Sequence, residues 1–113
     1  MRIYLSGPMR SYPEFNYPAF HKAAVELRGA GHTVWSPAEN DTWDGTESGM
    51  FRTINMDLSV VINWAEAVVV LPGWTDSTGA RAEVFTAFWA EIPVLKAGSM
   101  RPISSDTMRV FYL

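Results

Sequence analysis

A chain of 113 residues with a net charge of −3 and no cysteine suits one domain, 1–113, lacks the basic footprint of a nucleic-acid-polymer binder, and excludes disulfides and thiolate metal sites. No apolar run approaches the ~20 residues of a membrane span, and the opening MRIYL is strand-like rather than a leader, so a soluble cytoplasmic protein is expected. Five Trp are many for this length, and some are expected to cover a pocket or a subunit contact.

Arg2 to Leu5 is a short β run that ends at the turn signal Ser6-Gly7-Pro8. Asn16 precedes Tyr17-Pro18, which predicts a helix capped by Asn16 with Pro in its first turn. Phe20, Ala23, Ala24 and Leu27 keep helical spacing, and Gly29 to Gly31 end the helix. Thr33 to Trp35 is a second strand, closed by Ser36-Pro37. Residues 38–48 are polar and predict a loop long enough to be functional. A helix is expected from Met50 to Trp64, with Met50, Ile54, Leu58, Val61, Ile62 and Ala65 as its apolar stripe. Ala67 to Leu71 is continuously apolar, as in a strand covered on both faces. A helix from Thr78 to Ala90, a strand from Pro93 to Lys96 and a last apolar stretch, Val110 to Leu113, complete the chain.

This alternation predicts an α/β fold, a single Rossmann-like or flavodoxin-like domain. Its parallel sheet of four to five strands would carry helices on both faces. Ligands of such sheets bind beyond the carboxyl ends of the strands. Three turns belong to that edge: Ser6 to Arg10, Ser36 to Asp41, and Pro72 to Gly79.

The segment VVVLPGWTDSTGARAE, Val68 to Glu83, carries the most chemistry. It runs from buried strand through a Pro-Gly turn into a helix that opens with small residues. If Ser77 caps that helix, its hydroxyl and the free N–H groups of Thr78, Gly79 and Ala80 face one small anion. Gly79 and Ala80 leave the surface clear. Glu83 lies one turn beyond them on the same face, and its side chain leans back toward the helix start. The Cα atoms of Ser77 and Glu83 are about 9 Å apart along the axis. That gap suits a ribose with its 5′-phosphate at Ser77 and C1′ at Glu83. The bland alternative is a simple cap and a solvated helix acid.

These residues resemble the nucleoside 2-deoxyribosyltransferase superfamily, above all its small phage and bacterial members and the nucleoside 5′-monophosphate N-glycosidases. The likeness rests on YLSGPM at the N-terminus, on Met56-Asp57-Leu58, and on LPGW-x-x-S-x-G-A-x-x-E. It implies that Glu83 is the nucleophile that forms a glycosyl-enzyme. It also implies that Asp57 helps in base or sugar recognition and proton transfer. A Ser six residues before the Glu, as Ser77 is, marks members that take nucleoside 5′-monophosphates. Small members complete their sites across subunits, so a homodimer or larger ring is implied. The chemistry agrees with these roles. A carboxylate opposite the base can bond to an oxocarbenium-like C1′, and the leaving base needs a proton. Asp57 is expected at the edge of its helix's apolar stripe, where partial burial would raise its pKa; pairing with Arg52 is the alternative. Water or a second base could resolve the intermediate, and both outcomes remain open.

By the same resemblance Tyr4, Ser6, Gly7, Met9 and Arg10 belong to the sugar and phosphate pocket. Gly7 can bring backbone close to a ligand, and Arg10 either pairs with phosphate or is a solvated loop cation. Tyr4 is a core residue whose hydroxyl could reach the site. Trp74 and Trp43 either stack on a base or pack a lid or interface. His21 and His32 are structural and not spaced as a metal pair, so neither a metal nor a cofactor is expected. Asp41, Asp44 and Glu47 line the long loop and either contact a base or are solvated, with solvation the favoured reading; a magnesium held by phosphate and one of these acids is the weaker alternative. The rivals to an enzyme are a nucleotide-binding module without turnover and a structural or inhibitory phage-type protein on the same fold.

Overall fold

The computed structural model describes residues 1–41 and 43–103. Four strands, β1 (Arg2–Ser6), β2 (Thr33–Trp35), β3 (Ala67–Val70) and β4 (Val94–Lys96), form one parallel sheet in the order β2-β1-β3-β4. The chain steps from β1 to β2 on one side, then crosses to place β3 on the other. The carboxyl ends of β1 and β3 therefore flank the point where strand order reverses, which is where open α/β sheets hold ligands.

The two faces are sorted by alternation along β1. Ile3 and Leu5 point to the face covered by α1 (Tyr17–Gly29), whose Phe20, Ala23, Ala24 and Leu27 close that core. Tyr4 points to the opposite face, into a second core with Val61, Val68, Val70, Val84 and Ala87. That face carries α2 (Glu47–Asn63) and α3 (Thr78–Trp89). β3 has both faces covered and is buried throughout, as its unbroken apolar run predicts.

Three local differences from the expected pattern have physical causes. Asn16 stands at the cap position of α1 but in a left-handed conformation, and its amide donates to Pro8 O instead of capping. The preceding turn, Pro13–Asn16, holds Glu14, Phe15 and Asn16 all at positive φ. α2 begins at Glu47, earlier than Met50, because Thr46 Oγ1 accepts from Gly49 N at 2.9 Å and Asp44 bonds Thr46 in turn. Beyond β4 the chain turns back, with Lys96 N bonded to Arg101 O and Ile103 N to Val94 O. The expected final stretch, Val110 to Leu113, lies outside the described residues.

Candidate active site

Parity on β1 builds the centre of the site. Tyr4 and Ser6 are two residues apart, so both face α3, and Glu83 stands on the α3 face that packs against them. Tyr4 Oη donates to Glu83 Oε2 at 2.6 Å, and Ser6 Oγ donates to Glu83 Oε1 at 2.6 Å. Each carboxylate oxygen therefore receives one hydroxyl from the same strand. Trp35, paired in register with Tyr4, stacks on its ring at 5.3 Å between centroids and fixes its orientation. Tyr4 and Ser6 are fully buried, and Glu83 is nearly so.

Burial pushes the Glu83 carboxyl up to about 8, against the Ser6 and Tyr4 hydrogen bonds, which favour its charged form. Burial also raises the Tyr4 phenol well above its ordinary value, with the Glu83 charge adding to the effect. Asp57 lies at the centre of the inward stripe of α2, between Thr53 and Val61, rather than at the edge of an apolar one. The buried row Gly49, Thr53, Asp57 and Val61 is spaced by four. Met50, Ile54 and Leu58 are only half-buried beside it, and Ile62 is exposed. Burial, then the charge of Asp41, lift the Asp57 carboxyl to about 7. Arg52 pairs with Asp44 at 3.0 Å and not with Asp57.

Glu83 and Asp57 open onto one cavity of about 400 Å³ at the carboxyl edge of the sheet. The β1 turn supplies Gly7, Pro8, Met9 and Arg10 to its wall. The α3 end supplies Ser77, Gly79 and Ala80, and α2 adds Met50 and Ile54. Ser77 caps α3 as expected, its Oγ accepting from Ala80 N at 3.2 Å. Among the described residues a Cβ on Gly79 would meet nothing within 4 Å. Gly7 is constrained differently: a Cβ there would stand 2.9 Å from Leu71 Cβ, so the turn leaving β1 needs glycine to pass the residue that follows β3.

Arg10 lines the cavity but is not a solvated cation. Its guanidinium forks onto Asp41 at 2.6 and 2.7 Å and lies 4.5 Å over the Trp43 ring and 5.6 Å over Phe15. Asp41 also accepts from Tyr17 Oη at 2.6 Å and from Trp43 N at 3.1 Å. Asp41 is thus no solvated loop acid; the Arg10 bonds first, with Tyr17 and Trp43, hold its carboxyl down at about 2. Trp43 gives its ring to Arg10. Trp74 packs in the second core with Val68 and Val84 and is not part of the cavity wall. Asp44 accepts from Thr46 and Arg52, whereas Glu47 is exposed in the first turn of α2. Among the described residues no group of three or more His, Asp or Glu is arranged to hold a metal ion.

Sequence reasoning missed Trp35, the pairing of Asp41 with Arg10, and the α2 wall. Trp35 was findable, since pairing β1 with β2 in parallel sets it beside Tyr4. The Asp41 pairing was not, because Arg10 and Tyr17 reach it from 31 and 24 residues away.

The same architecture occurs in solved proteins. A 2-deoxyribosyltransferase from the psychrotolerant bacterium Bacillus psychrosaccharolyticus is 27% identical, over 85% of this chain and 71% of its own, with a TM-score of 0.67. A conserved protein from Enterococcus faecalis V583 is 20% identical over 84% of this chain and 61% of its own, with a TM-score of 0.59, and shows the fold alone. No curated protein matches in sequence. The first likeness supports the superfamily resemblance drawn from the motifs. Residues 1–96 match the profile of a family described as a domain of unknown function (DUF4406), and the chain belongs to that family.

Proposed function

We propose that this protein is an enzyme that cleaves or transfers at the N-glycosidic bond of a nucleoside 5′-monophosphate, a deoxynucleotide among the candidates. The observation that carries this reading is the pair of 2.6 Å hydroxyl bonds on the buried carboxylate of Glu83, at the wall of a cavity that also holds Asp57. The likeness to a 2-deoxyribosyltransferase supports glycosyl chemistry.

In the first step a Glu83 oxygen bonds to C1′. The C1′–N bond breaks with its electron pair on the base, and the base takes a proton from the Asp57 carboxyl. In the second step the oxygen of water, or the nitrogen of a second base, bonds to C1′. The ester bond to Glu83 breaks, and Asp57 takes up the proton released. Tyr4 steadies the carboxylate. Ser77, Gly79 and Ala80 cradle the phosphate at the start of α3, with Arg10 and Met9 on the facing turn. The reading needs neither metal nor cofactor. It takes residues 1–113 as one cytoplasmic domain working as a homo-oligomer, which the exposed apolar side chains on α2 and α3 support.

The test is chromatographic detection of free base from a panel of ribo- and deoxyribonucleoside 5′-monophosphates, with and without an acceptor base, beside Glu83→Ala. Release by the wild type alone is the expected result. Release without acceptor marks a hydrolase; release only with acceptor marks a transferase. No release from any nucleotide would replace the enzyme by a nucleotide-binding module.

A further inference from the structure

Ser6 ends β1 at the sheet edge, where the sequence suggested a contact with sugar or phosphate. Its side chain goes elsewhere. It is fully buried, it is absent from the cavity wall, and its hydroxyl hydrogen is committed to Glu83 Oε1 at 2.6 Å. The neighbouring Gly7 begins the wall instead.

We propose that Ser6 is a positioning residue for Glu83, holding the carboxylate plane from Oε1 while Tyr4 holds it from Oε2. This rests on the reading of Glu83 as the nucleophile. A carboxylate on a three-bond side chain has rotamers to spare, and one hydrogen bond leaves it free to turn about that bond. Two donors fixed on one strand, on alternate residues, remove the turn. The lone pairs left over on Glu83 are then the ones available to the cavity. The Oε1 contact has a second consequence. When the ester to C1′ breaks, the electron pair returns to the carboxylate, and a donor already in place stabilises that charge without rearrangement.

Burial and three groups bear on the Glu83 charge: burial among α3 and the sheet opposes it, Ser6 and Tyr4 from β1 favour it, and Asp57 from α2 opposes it. Removing the Ser6 donor takes away the largest favourable contribution. The Glu83 carboxyl then titrates higher.

The experiment compares wild type, Ser6→Ala and Ser6→Thr in two ways. Infrared difference titration follows the protonated carboxyl band of Glu83, assigned by its loss in Glu83→Gln, and needs no turnover. Steady-state kinetics then use whichever nucleoside 5′-monophosphate the wild type cleaves. Ser6→Ala is expected to raise the Glu83 midpoint by about one pH unit and to lower kcat about 10- to 100-fold with KM within about twofold. Ser6→Thr, which keeps the hydroxyl, is expected to recover the midpoint. An unmoved Glu83 midpoint in Ser6→Ala would overturn the assignment. So would a raised KM at unchanged kcat, the signature of a sugar contact. A wild type that releases no base sinks the glycosidic reading, and the infrared midpoint still decides whether Ser6 governs the Glu83 carboxyl.

Discussion

The phenol of Tyr4 and the carboxylate of Glu83 lie 79 residues apart in sequence and 2.6 Å apart in space, beside the inner strand β1. Tyr4 is in turn backed by Trp35 from the neighbouring strand. The nucleophile candidate is thus oriented by the sheet, the stiffest part of the fold, and not by a loop. Its helix supplies the carboxylate, and β1 supplies both groups that aim it.

Burial of Glu83 and Asp57 makes stability and activity depend on pH in a defined sense. Both folded-state pKa values, about 8 and about 7, lie above the unfolded ones of 4.5 and 3.8. The folded chain therefore keeps these protons to higher pH than the unfolded chain. The stability they contribute is full below about pH 4 and is lost as pH rises through 7 and 8. Calorimetry at pH 5 and pH 9 is expected to show a lower Tm at pH 9, by about 4–8 °C for each kcal/mol lost. Glu83→Gln, which cannot ionise, is expected to flatten that fall. In the proposed mechanism kcat/KM needs Glu83 ionised and Asp57 protonated, so its profile is expected to be a bell with its maximum between pH 7 and 8. The two limbs belong to the coupled pair rather than to either carboxyl. A Tm that rises from pH 5 to pH 9 would contradict this assignment.

Gly79 and Gly7 separate binding from folding. Among the described residues nothing lies within 4 Å of a Cβ added at Gly79, and the residue is helical, so Gly79→Ala is expected to keep or raise stability by about 0.5–1 kcal/mol. The new methyl group would occupy the proposed phosphate cradle, and KM for the nucleotide is expected to rise about tenfold or more. Gly7→Ala would instead press on Leu71 and is expected to destabilise by about 1–3 kcal/mol. Melting curves and KM for the two variants give opposite patterns; equal losses of stability would mean that Gly79 is structural.

Much of this was legible before the structure because the signals were periodic or local. β1 to β4, α1 and α3 follow from runs such as Val68 to Val70 and from caps such as Ser77, which accepts the Ala80 N–H as its position implies. Where the inward stripe is not apolar, periodicity misleads: Gly49, Thr53 and Asp57 face inward on α2, and reading hydrophobicity alone rotated that helix toward Ile62. The start of α2 also escapes periodicity, since Thr46 and Asp44 set it by side-chain bonds within a polar stretch. Ser6 was placed at the right edge of the sheet, but only the alternation of β1 against a specific helix face shows that it turns to Glu83. The Arg10 and Asp41 pair joins turns far apart in the chain and leaves no local pattern.

Asp41 is expected to matter through Arg10. Its carboxyl accepts four hydrogen bonds, and its folded pKa of about 2 lies below the unfolded 3.8. That contribution is present above about pH 4 and is lost as pH falls through 2. Asp41→Asn is expected to cost about 2 kcal/mol in urea denaturation at neutral pH. Arg10→Ala is expected to raise KM about 10- to 100-fold for a nucleoside 5′-monophosphate and to leave the corresponding free nucleoside unchanged, because in the proposed site only the phosphate would meet the cation. An equal rise for both would place Arg10 in loop structure alone.

The outer side of the helical layer is expected to be a contact between copies of this chain. Trp89 points away from the α3 row of Glu83, Val84 and Ala87, and is 69% exposed. Phe51 and Ile62 stand opposite the inward row of α2, exposed by 62% and 56%. α3 is therefore apolar on both sides, the pattern of a helix with partners on both. A monomer rarely presents several large apolar side chains on two adjacent helices without using them. Sedimentation at micromolar concentration is expected to give a dimer or larger species. Joint replacement of Phe51 and Trp89 by Glu is expected to give monomers, because each buried carboxylate would lack a partner. None of the hydrogen bonds to Glu83 involves these residues, so its infrared titration should persist in that variant if the fold is intact. A wild type that sediments as a monomer would end the oligomer proposal and leave the exposed rings to another partner.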